Sequence, residues 1–431
     1  MRPRPRKAEG PRLRFLYLLA LYAAVPVICS VYLWRGLRDR SYWRAFSERF
    51  GFGAQRPPRG LWLHAVSVGE VQACAPLISA MRQRHPGLPL TVTTFTPTGA
   101  ARAQALFGGI AQVRYLPYDL PGAVRRFFAR VQPRLAVIFE TELWPNLYRE
   151  CARRGVPLVL ASARMSARSL GRYRRLGGLF RDTLSRVAVV AAQGREDAER
   201  FRALGAANTH VTGNLKFDFE PPADIAERGA RLRAQYALDR PVWIAGSTHG
   251  GGEEEALFEA QRRVRAVHPR ALLVLAPRHP PRFVAVAQAL EQAHIGFVRR
   301  SQGVPAEGCE VLLLDTLGEL LDFYAAGEVA FVGGSLVPVG GHNLLEPAAL
   351  GVPILTGPYN GNSEEIAQLL IARGAAEVVH DAAALAARVN ALLADPQARA
   401  RMGAAGGAAI AANRGAVRRL LALIEPLLDE P

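Results

Sequence analysis

The sequence predicts an α/β fold of two Rossmann-like lobes, each built on a parallel sheet. Short apolar runs of strand length alternate with helix-length segments, and this pattern occurs twice, on either side of a charged segment at 217–240. Almost uninterrupted apolar runs are typical of strands buried on both faces of a parallel sheet, and their alternation with helices indicates βαβ units. Because open sheets bind ligands at the carboxyl ends of their strands, we expect a cleft between the two lobes to hold the site.

The predicted strands divide between a first lobe at 61–216 and a second lobe at 241–401. In the first lobe they are Leu61–Val66, Leu88–Phe95, Val113–Tyr118, Leu135–Glu140, Pro157–Ala163 and Val187–Gln193. In the second lobe they are Val242–Ser247, Ala271–Pro277, Val311–Asp315, Val329–Gly334 and Pro353–Thr356. We interpret 217–240 as a linker and predict a C-terminal helix at 402–431 that packs back on either lobe.

The N-terminus predicts an association with a membrane. No charged residue occurs in the segment 15–34, and a helix of that length extends ~30 Å, about the thickness of the hydrocarbon core of a bilayer. A basic tail at 1–14 and a basic membrane-proximal segment at 35–60 flank this anchor helix. Since both flanks are basic, the positive-inside rule leaves the orientation of the helix open. Pro26 inside the run would kink a spanning helix, so the sequence also leaves open whether the helix spans the bilayer or lies in its interface.

Composition narrows the classes of partner and cofactor. The chain has 54 basic and 37 acidic residues and a formal net charge of +17, which indicates an anionic partner such as an acidic substrate, an anionic lipid or a nucleic acid. The four cysteines form no CxxC pair and the nine histidines form no metal-spaced cluster, so we expect neither a disulfide framework nor a metal site. The chain also lacks the glycine-rich motifs of dinucleotide-binding enzymes and of P-loop NTPases.

Charged residues that follow strands of the first lobe are candidates for catalysis. Glu70 follows the first strand, where a carboxylate suits a general base for an attacking hydroxyl or, equally, a cap for the next helix. Glu140 and Glu142 follow the fourth strand and point the same way, either to hold a polar acceptor or to pair with an arginine. Lys216 is one of two lysines in an arginine-rich chain, and its compact ammonium suits a phosphate or carboxylate, unless it is an ordinary surface lysine.

The second lobe offers groups that suit an anion and a ribose. Gly246–His249 lies between a strand and a helix, where exposed backbone N–H groups favour an anion. The next strand ends at Pro277-Arg278, which places a cation at the same edge of the sheet. Glu346 lies in the first turn of a later helix and is placed to accept hydrogen bonds from ribose hydroxyls.

Motifs spread over nearly the whole chain resemble those of the Kdo transferases of lipopolysaccharide biosynthesis, which move 3-deoxy-D-manno-octulosonic acid (Kdo) from CMP-Kdo to the lipid A precursor. The motifs are HAVSVGE (64–70), TPTGA (96–100), ETELWPN (140–146), ARMSARS (163–169), GNLKFD (213–218), PRHPPRF (277–283) and FVGGSLVPVGGHNLLEPAALGVPILTGP (331–358). The resemblance implies a GT-B fold and an inverting, metal-independent glycosyltransferase without a cofactor. It also implies catalytic lobes on the cytoplasmic side of the bacterial inner membrane.

The same resemblance implies partners and residue roles. The implied partners are CMP-Kdo as donor, the lipid A precursor (lipid IVA) as acceptor and a membrane lipid surface, with no nucleic acid. Glu70 matches the proton acceptor, and Glu140 and Lys216 match the residues that stabilise the transition state. The matching nucleotide-binding residues are Pro277, Arg278, Leu317, Gly318, Glu319, Asn343, Leu344, Leu345 and Glu346.

Two other classes of function remain as alternatives. Another GT-B glycosyltransferase or a sugar-nucleotide epimerase would have the same lobes and a different nucleotide, so competition between CMP and UDP distinguishes them. A basic membrane-binding or nucleic-acid-binding protein without catalysis would share the positive charge. That class is disfavoured because the chain lacks the aromatic-and-basic clusters of single-strand binders, and because it leaves Glu70 and Glu140 unexplained.

Overall fold

Two parallel sheets organise the protein, which is described over residues 10–54, 59–236 and 239–429 by a computed structural model. The first unit comprises Met1–Asp218 and the C-terminal Arg414–Pro431, and the second comprises Phe219–Asn413. Helices cover both faces of each sheet, so the predicted α/β class with two Rossmann-like lobes is confirmed. Most of the predicted basic tail at 1–14 lies outside the described residues.

The first unit contains, within the described residues, a seven-stranded parallel sheet of order β3-β2-β1-β4-β5-β6-β7. Its strands are β1 (Gly60–His64), β2 (Leu90–Thr94), β3 (Gln112–Tyr115), β4 (Pro133–Phe139), β5 (Leu158–Ala163), β6 (Val189–Ala192) and β7 (Thr209–Val211). Side chains of β1 alternate between the two faces: Leu61 and Leu63 join one apolar cluster, and Trp62 joins the other. This double burial explains the uninterrupted apolar runs of the sequence.

The second unit contains, over the residues described, a seven-stranded parallel sheet of order β10-β11-β9-β8-β12-β13-β14. Its strands are β8 (Val242–Thr248), β9 (Leu272–Pro277), β10 (Phe297–Arg299), β11 (Val311–Leu313), β12 (Val329–Val332), β13 (Ile354–Thr356) and β14 (Ala376–Val378). The strands β7, β10 and β14 are absent from the predicted set. Each lies at a sheet edge and is only partly buried, so its three residues include polar ones and form no apolar run.

Several helices begin where the sequence supplies a capping residue or a proline. Ser67 caps α2, Thr96 caps α4, and proline is the first residue of α4, α5 and α6. In the first unit the helices are α1 (Gly10–Arg38), α2 (Val68–Ala73), α3 (Ala75–Arg84), α4 (Pro97–Phe107), α5 (Pro121–Val131), α6 (Pro145–Arg153), α7 (Ala167–Arg175), α8 (Gly177–Leu184) and α9 (Arg195–Ala203). In the second unit they are α10 (Ile225–Gln235), α11 (Glu253–Val267), α12 (Arg282–Gln292), α13 (Leu320–Ala326), α14 (Leu345–Ala349), α15 (Glu364–Ala372), α16 (Ala382–Ala394) and α17 (Pro396–Asn413), and α18 (Ala416–Asp429) returns to the first unit.

Two segments differ from their predicted organisation. The predicted linker at 217–240 contains α10, which packs on α13 and belongs to the second unit, because Leu232 and Tyr236 are buried there. The predicted C-terminal helix at 402–431 is divided between α17 and α18. The break lies at Gly415, whose φ of 90° favours glycine and ends the helical path.

Helix α1 packs against the rest of the first unit with one of its faces. Its half-buried positions recur every three or four residues, as at Tyr17, Leu21, Val25, Ile28 and Tyr32. Three of these side chains pack on an apolar cluster formed by Tyr118, Leu120 and Ala123. The opposite face exposes Phe15, Leu16, Leu19, Val27, Leu33, Trp34 and Leu37. Among the described helices, this is the one long and apolar enough, over Leu13–Arg38, to cross a membrane.

Candidate functional site

The first candidate site lies where the strand order of the first sheet reverses, between β1 and β4. The loop after β1 carries Glu70, and the loop after β4 carries Glu140 and Glu142. In an open parallel sheet, the carboxyl ends of strands on either side of such a reversal leave room for a ligand. The structure therefore brings these three carboxylates to neighbouring strand ends.

Glu70 lies in the first turn of α2 and bonds to the turn that precedes this helix. The Val66 N–H donates to Glu70 Oε2 at 2.8 Å, and the Ser67 hydroxyl donates to Oε1 at 3.0 Å. Ser67 Oγ in turn accepts the Glu70 N–H at 3.5 Å and caps the helix. Glu70 thus has the capping role that was the alternative to catalysis, and the same bonds hold its carboxylate in a fixed position.

The surroundings of Glu70 raise its pKa to about 7. Burial is the main cause, and the negative charge of Glu140 is the next. The hydrogen bonds from Val66 and Ser67 oppose the shift because they favour the charged form. A carboxylate with a pKa near the operating pH can both accept a proton and release it, which is what a general base requires.

Glu140 and Lys216 form an ion pair beside Glu70. The Lys216 Nζ lies 3.4 Å from Glu140 Oε1, and 26% and 30% of the two side chains are exposed. Glu140 has a φ of 55°, a left-handed conformation that is uncommon for residues other than glycine. Such conformations concentrate at functional sites, where the surrounding structure enforces them. The partial exposure leaves both charges accessible to a ligand.

A chain of hydrogen bonds along the next strand ends fixes the loop of Lys216. The Lys216 N–H donates to Asn214 Oδ1 at 3.0 Å, and Asn214 Nδ2 donates to Gln193 Oε1 at 3.0 Å. Gln193 Nε2 then donates to the Ser162 carbonyl at 2.9 Å. The sequence predicted Lys216 from its rarity, but it contained no signal for this supporting chain.

Glu142 is a third acidic group of the first site. Burial raises the pKa of Glu142 to about 7, and the charge of Glu140 acts in the same direction. Glu142 also contributes to the raised pKa of Glu70. Its carbonyl accepts a hydrogen bond from the Tyr148 hydroxyl at 2.6 Å, which fixes the loop backbone. Glu142 therefore belongs with Glu70 and Glu140, although the family resemblance assigns it no role.

The second candidate site lies at the corresponding reversal of the second sheet, between β8 and β12. Glu253, the first residue of α11, is fully buried between the loops that follow these strands. Its Oε2 accepts the N–H groups of His249 and Gly334 at 2.8 Å, and its Oε1 accepts those of Ser335 and Leu336 at 3.0 Å. One carboxylate thus connects both loops.

This arrangement corrects one expectation from the sequence. The turn at Gly246–His249 was predicted to present backbone N–H groups to an anionic ligand, but the N–H of His249 already binds the carboxylate of Glu253. A helix start favours a negative charge, and here the chain itself supplies that charge. The N–H of His249 is therefore not available to an anionic ligand.

Three histidines lie beside these loops. The Nε2 atoms of His249 and His342 are 2.8 Å apart with their rings stacked, and the His279 ring meets His249 edge-on at 5.3 Å. Burial, together with the charge of Arg278, lowers the pKa of His342 to about 3, and burial also lowers the pKa of His249 and His279. Neutral rings can share one proton, with one donating and the other accepting. Within the part of the chain that the structure describes, no group of three or more histidine, cysteine or acidic side chains could hold a metal ion.

Pro277 and Arg278 place a cation at the end of β9. The Arg278 N–H donates to the Thr248 carbonyl at 3.0 Å, so this residue is adjacent to the loop after β8. Its half-buried guanidinium forms no ion pair with any residue in the described ranges. By contrast, Arg282 in the same motif pairs with the buried carboxylate of Glu254. The charge of Arg278 is the one that remains available to a ligand in this motif.

Leu317, Gly318 and Glu319 form an exposed turn before α13. The Leu317 side chain is 70% exposed, and Gly318 has a φ of 89° that favours glycine. Glu319 accepts hydrogen bonds from Arg300, at 2.7 Å, and from Thr316. A ligand at this turn would contact the backbone of the turn and the hydrogen-bond acceptor sites of Glu319 that Arg300 and Thr316 do not use.

The residues Asn343 to Glu346 form the start of α14. Asn343 Oδ1 accepts the Leu345 N–H at 3.1 Å, and Asn343 Nδ2 donates to Glu346 Oε1 at 3.0 Å. Leu344 and Leu345 are buried, so a ligand can reach these two residues only through their backbone. Asn343 and Glu346 keep the accessible polar atoms of this group.

Comparisons with known proteins agree with the motifs. A family model described as 3-Deoxy-D-manno-octulosonic-acid transferase (kdotransferase) matches residues 44–219, and one described as Glycosyl transferases group 1 matches residues 309–408. The 3-deoxy-D-manno-octulosonic acid transferase of Haemophilus influenzae is 41% identical over 96% of this chain and 99% of its own length. That of Bordetella pertussis is 42% identical over the same two shares.

A solved structure supports the fold class independently. A putative UDP-N-acetylglucosamine 2-epimerase from Listeria monocytogenes aligns with a TM-score of 0.57 and 15% identity, over 87% of this chain and 98% of its own. At that identity the likeness shows the fold alone, and it agrees with the GT-B class that the motifs imply. The two relatives, aligned over almost their whole length, show that this chain belongs to the 3-deoxy-D-manno-octulosonic acid (Kdo) transferase family of glycosyltransferases.

Proposed function

We propose that the protein transfers Kdo from CMP-Kdo to a hydroxyl of the lipid A precursor, lipid IVA, with inversion at the anomeric carbon and with Glu70 as general base. The observation that carries the proposal is the carboxylate of Glu70, held at the end of β1 with a pKa raised by burial to about 7. Membership of the Kdo transferase family supplies the class of donor and acceptor.

In the proposed reaction, Glu70 accepts the proton of the acceptor hydroxyl while its oxygen attacks the anomeric carbon of Kdo. The new bond joins this oxygen to the sugar, the bond from the sugar to the CMP phosphate breaks, and CMP leaves with its electron pair. Attack from the face opposite to CMP inverts the anomeric configuration. General-base catalysis of this kind contributes typically about 10²–10⁴-fold to the rate.

Cationic groups in each unit would stabilise the charges of this reaction. In the first unit, Lys216 would face negative charge that develops in the transition state, and Glu140 would hold its ammonium in place. In the second unit, Arg278 would pair with the CMP phosphate because none of the described residues occupies its guanidinium. Glu346, fixed by Asn343, would accept hydrogen bonds from the ribose hydroxyls. No step needs a metal ion or an organic cofactor.

The docking of α1 supports a membrane association in the interface rather than a span. A helix that packs on the first unit from Tyr17 to Ile28 cannot also be surrounded by lipid over that length. Its exposed apolar face would instead enter the outer part of the bilayer, and Arg35 and Arg38 at its C-terminal turn would meet anionic headgroups. The four free cysteines suit a reducing compartment, which supports the cytoplasmic side of the inner membrane.

The proposal is tested with the purified full-length chain in lipid vesicles. With CMP-Kdo and lipid IVA, we expect release of CMP together with a lipid product whose mass has increased by one or more Kdo residues. NMR of the new glycosidic bond reports inversion or retention. If folded protein releases no CMP, the proposed function is wrong, and binding of UDP in preference to CMP would indicate one of the alternative nucleotide-sugar enzymes instead.

A further inference from the structure

Asp119 connects the apolar helix α1 with the loop that carries Glu140 and Glu142. It lies between β3 and α5, and its side chain is almost completely buried. The Tyr17 hydroxyl of α1 donates to Asp119 Oδ2 at 2.8 Å. The other partners of Asp119 belong to the start of α6, directly after the ETELWPN loop.

Asp119 caps α6 from outside the helix. The residue before α6, Trp144, offers no side-chain cap, and Pro145 at the first position has no N–H. The next two N–H groups, of Asn146 and Leu147, donate to Asp119 Oδ2 and Oδ1 at 2.9 and 2.8 Å. A carboxylate in this place satisfies the free donors of the helix start and complements its positive end.

The position of α6 determines the position of the two acidic residues before it. Only a short loop separates Glu140, at the end of β4, from Pro145. Tyr148 of α6 donates its hydroxyl to the carbonyl of Glu142, so the first turns of the helix also bind this loop directly. A shift of α6 would therefore move Glu142, and with it the charges that raise the pKa of Glu70.

We propose that Tyr17 is a positioning residue for the transfer reaction: through Asp119 it fixes the start of α6 and hence the loop of Glu140 and Glu142. The proposal rests on the proposed function. It means that α1 completes the first site as well as meeting the membrane, and that the two roles use opposite faces of one helix. Catalysis would therefore depend on α1 even with an acceptor that needs no membrane.

The matched pair of variants is Tyr17→Phe and Tyr22→Phe in the full-length chain. Both remove one hydroxyl from α1, but Tyr22 is 56% exposed and Tyr17 bonds to Asp119. Since the hydroxyl of Tyr17 is one of several donors to a buried carboxylate, we expect its loss to lower kcat about fivefold. The KM for CMP-Kdo and the vesicle binding of both variants should equal those of the original chain, and Tyr22→Phe should keep the original kcat.

Two measurements test the proposal. Rates are measured with a water-soluble phosphorylated glucosamine disaccharide as acceptor, so that membrane binding does not contribute. Amide hydrogen exchange is measured for Asn146 and Leu147, whose N–H groups bind Asp119, and exchange should be faster in Tyr17→Phe and unchanged in Tyr22→Phe. Equal kcat and equal exchange in the two variants would overturn the proposal, and so would an equal loss of rate in both.

The exchange measurement also separates this proposal from the proposed function. If the original chain transfers no Kdo, the proposed function fails while the effect of Tyr17 on Asn146 and Leu147 is still measured. Asp119→Asn provides a second variant, because an amide of the same size offers one acceptor atom where the carboxylate offers two. It should speed exchange at the start of α6 more than Tyr17→Phe does, and slower or equal exchange would contradict the capping role.

Discussion

The two units have similar parallel sheets, yet the titratable groups at the points where the strand order reverses differ in their ability to accept and release a proton. In the first unit, burial raises the pKa of Glu70 and of Glu142 to about 7. In the second unit, Glu253 is saturated by four backbone N–H groups, and the pKa of His342 is lowered to about 3. One fold therefore supplies two sites: the environment of the first suits a proton acceptor, and in the second the carboxylate is held by backbone hydrogen bonds.

Among the variants that test this difference between the two units, we expect Glu70→Gln to have the largest effect. The amide keeps the size of the side chain but cannot accept the proton, so we expect kcat to fall about 10³-fold. CMP binding, measured by titration calorimetry, should remain unchanged because the nucleotide-binding candidates lie in the second unit. Glu196→Gln, on the exposed surface of the first unit, is the control and should retain full activity. Activity within a few-fold of the original in Glu70→Gln would remove Glu70 from the base role.

Lys216→Arg tests the first unit more finely, because it keeps the positive charge and changes the shape of the charged group. A planar guanidinium is larger than an ammonium and binds Glu140 in a different geometry, so we expect kcat to fall about a hundredfold. The melting temperature should change little, because the Lys216–Glu140 pair is partly exposed. Full activity in this variant would show that Lys216 acts only through its charge and that its occurrence in an arginine-rich chain carries no functional meaning.

Arg278→Ala tests the second unit in the same way. Loss of a charge-assisted hydrogen bond to the CMP phosphate should weaken CMP binding by about tenfold or more, as measured by calorimetry. With saturating CMP-Kdo, kcat should fall less than in the Glu70 variant. Arg263→Ala removes an exposed arginine that pairs with Glu259 on α11 and should leave CMP binding unchanged. If both variants bind CMP equally well, the phosphate is held elsewhere.

The sequence predicted the features that depend on neighbouring residues and missed those that depend on distant ones. Long buried strands produce apolar runs, and residues at strand ends such as Glu70 and Arg278 follow from them. The role of Glu253 was missed because three of its four partners, the N–H groups of Gly334 to Leu336, lie about eighty residues away in the chain. The bond between Tyr17 and Asp119, separated by 102 positions, was missed for the same reason.

The division of the C-terminal segment has a similar cause. Asp218, the last residue of GNLKFD, accepts the N–H groups of Gly415 and Val417 at 2.6 and 2.5 Å and so caps α18 on the first unit. Leu420, Ile424 and Leu428 then bury their side chains in the cluster beneath α3. A helical pattern at 402–431 was predictable, but the cap and the change of unit at Gly415 were not, because Asp218 lies about two hundred residues earlier.

The smallest expected effect is a shift in the pH dependence of the rate. Because Glu70 must be ionised to accept a proton and its pKa is raised to about 7, kcat/KM should rise with pH to a plateau above that value and fall about tenfold per unit below it. Glu142 is one cause of the raised pKa, so Glu142→Gln should move this acid limb to lower pH by a fraction of a unit.

The control is His342→Gln, which should leave the limb in place. The pKa of His342, lowered by burial to about 3, keeps this ring neutral over the measured range. Values of kcat/KM measured from pH 5 to 9 separate the two outcomes. If the acid limb shifts in His342→Gln and not in Glu142→Gln, the group that controls the rate lies in the second unit. That result would contradict the difference proposed between the two sites.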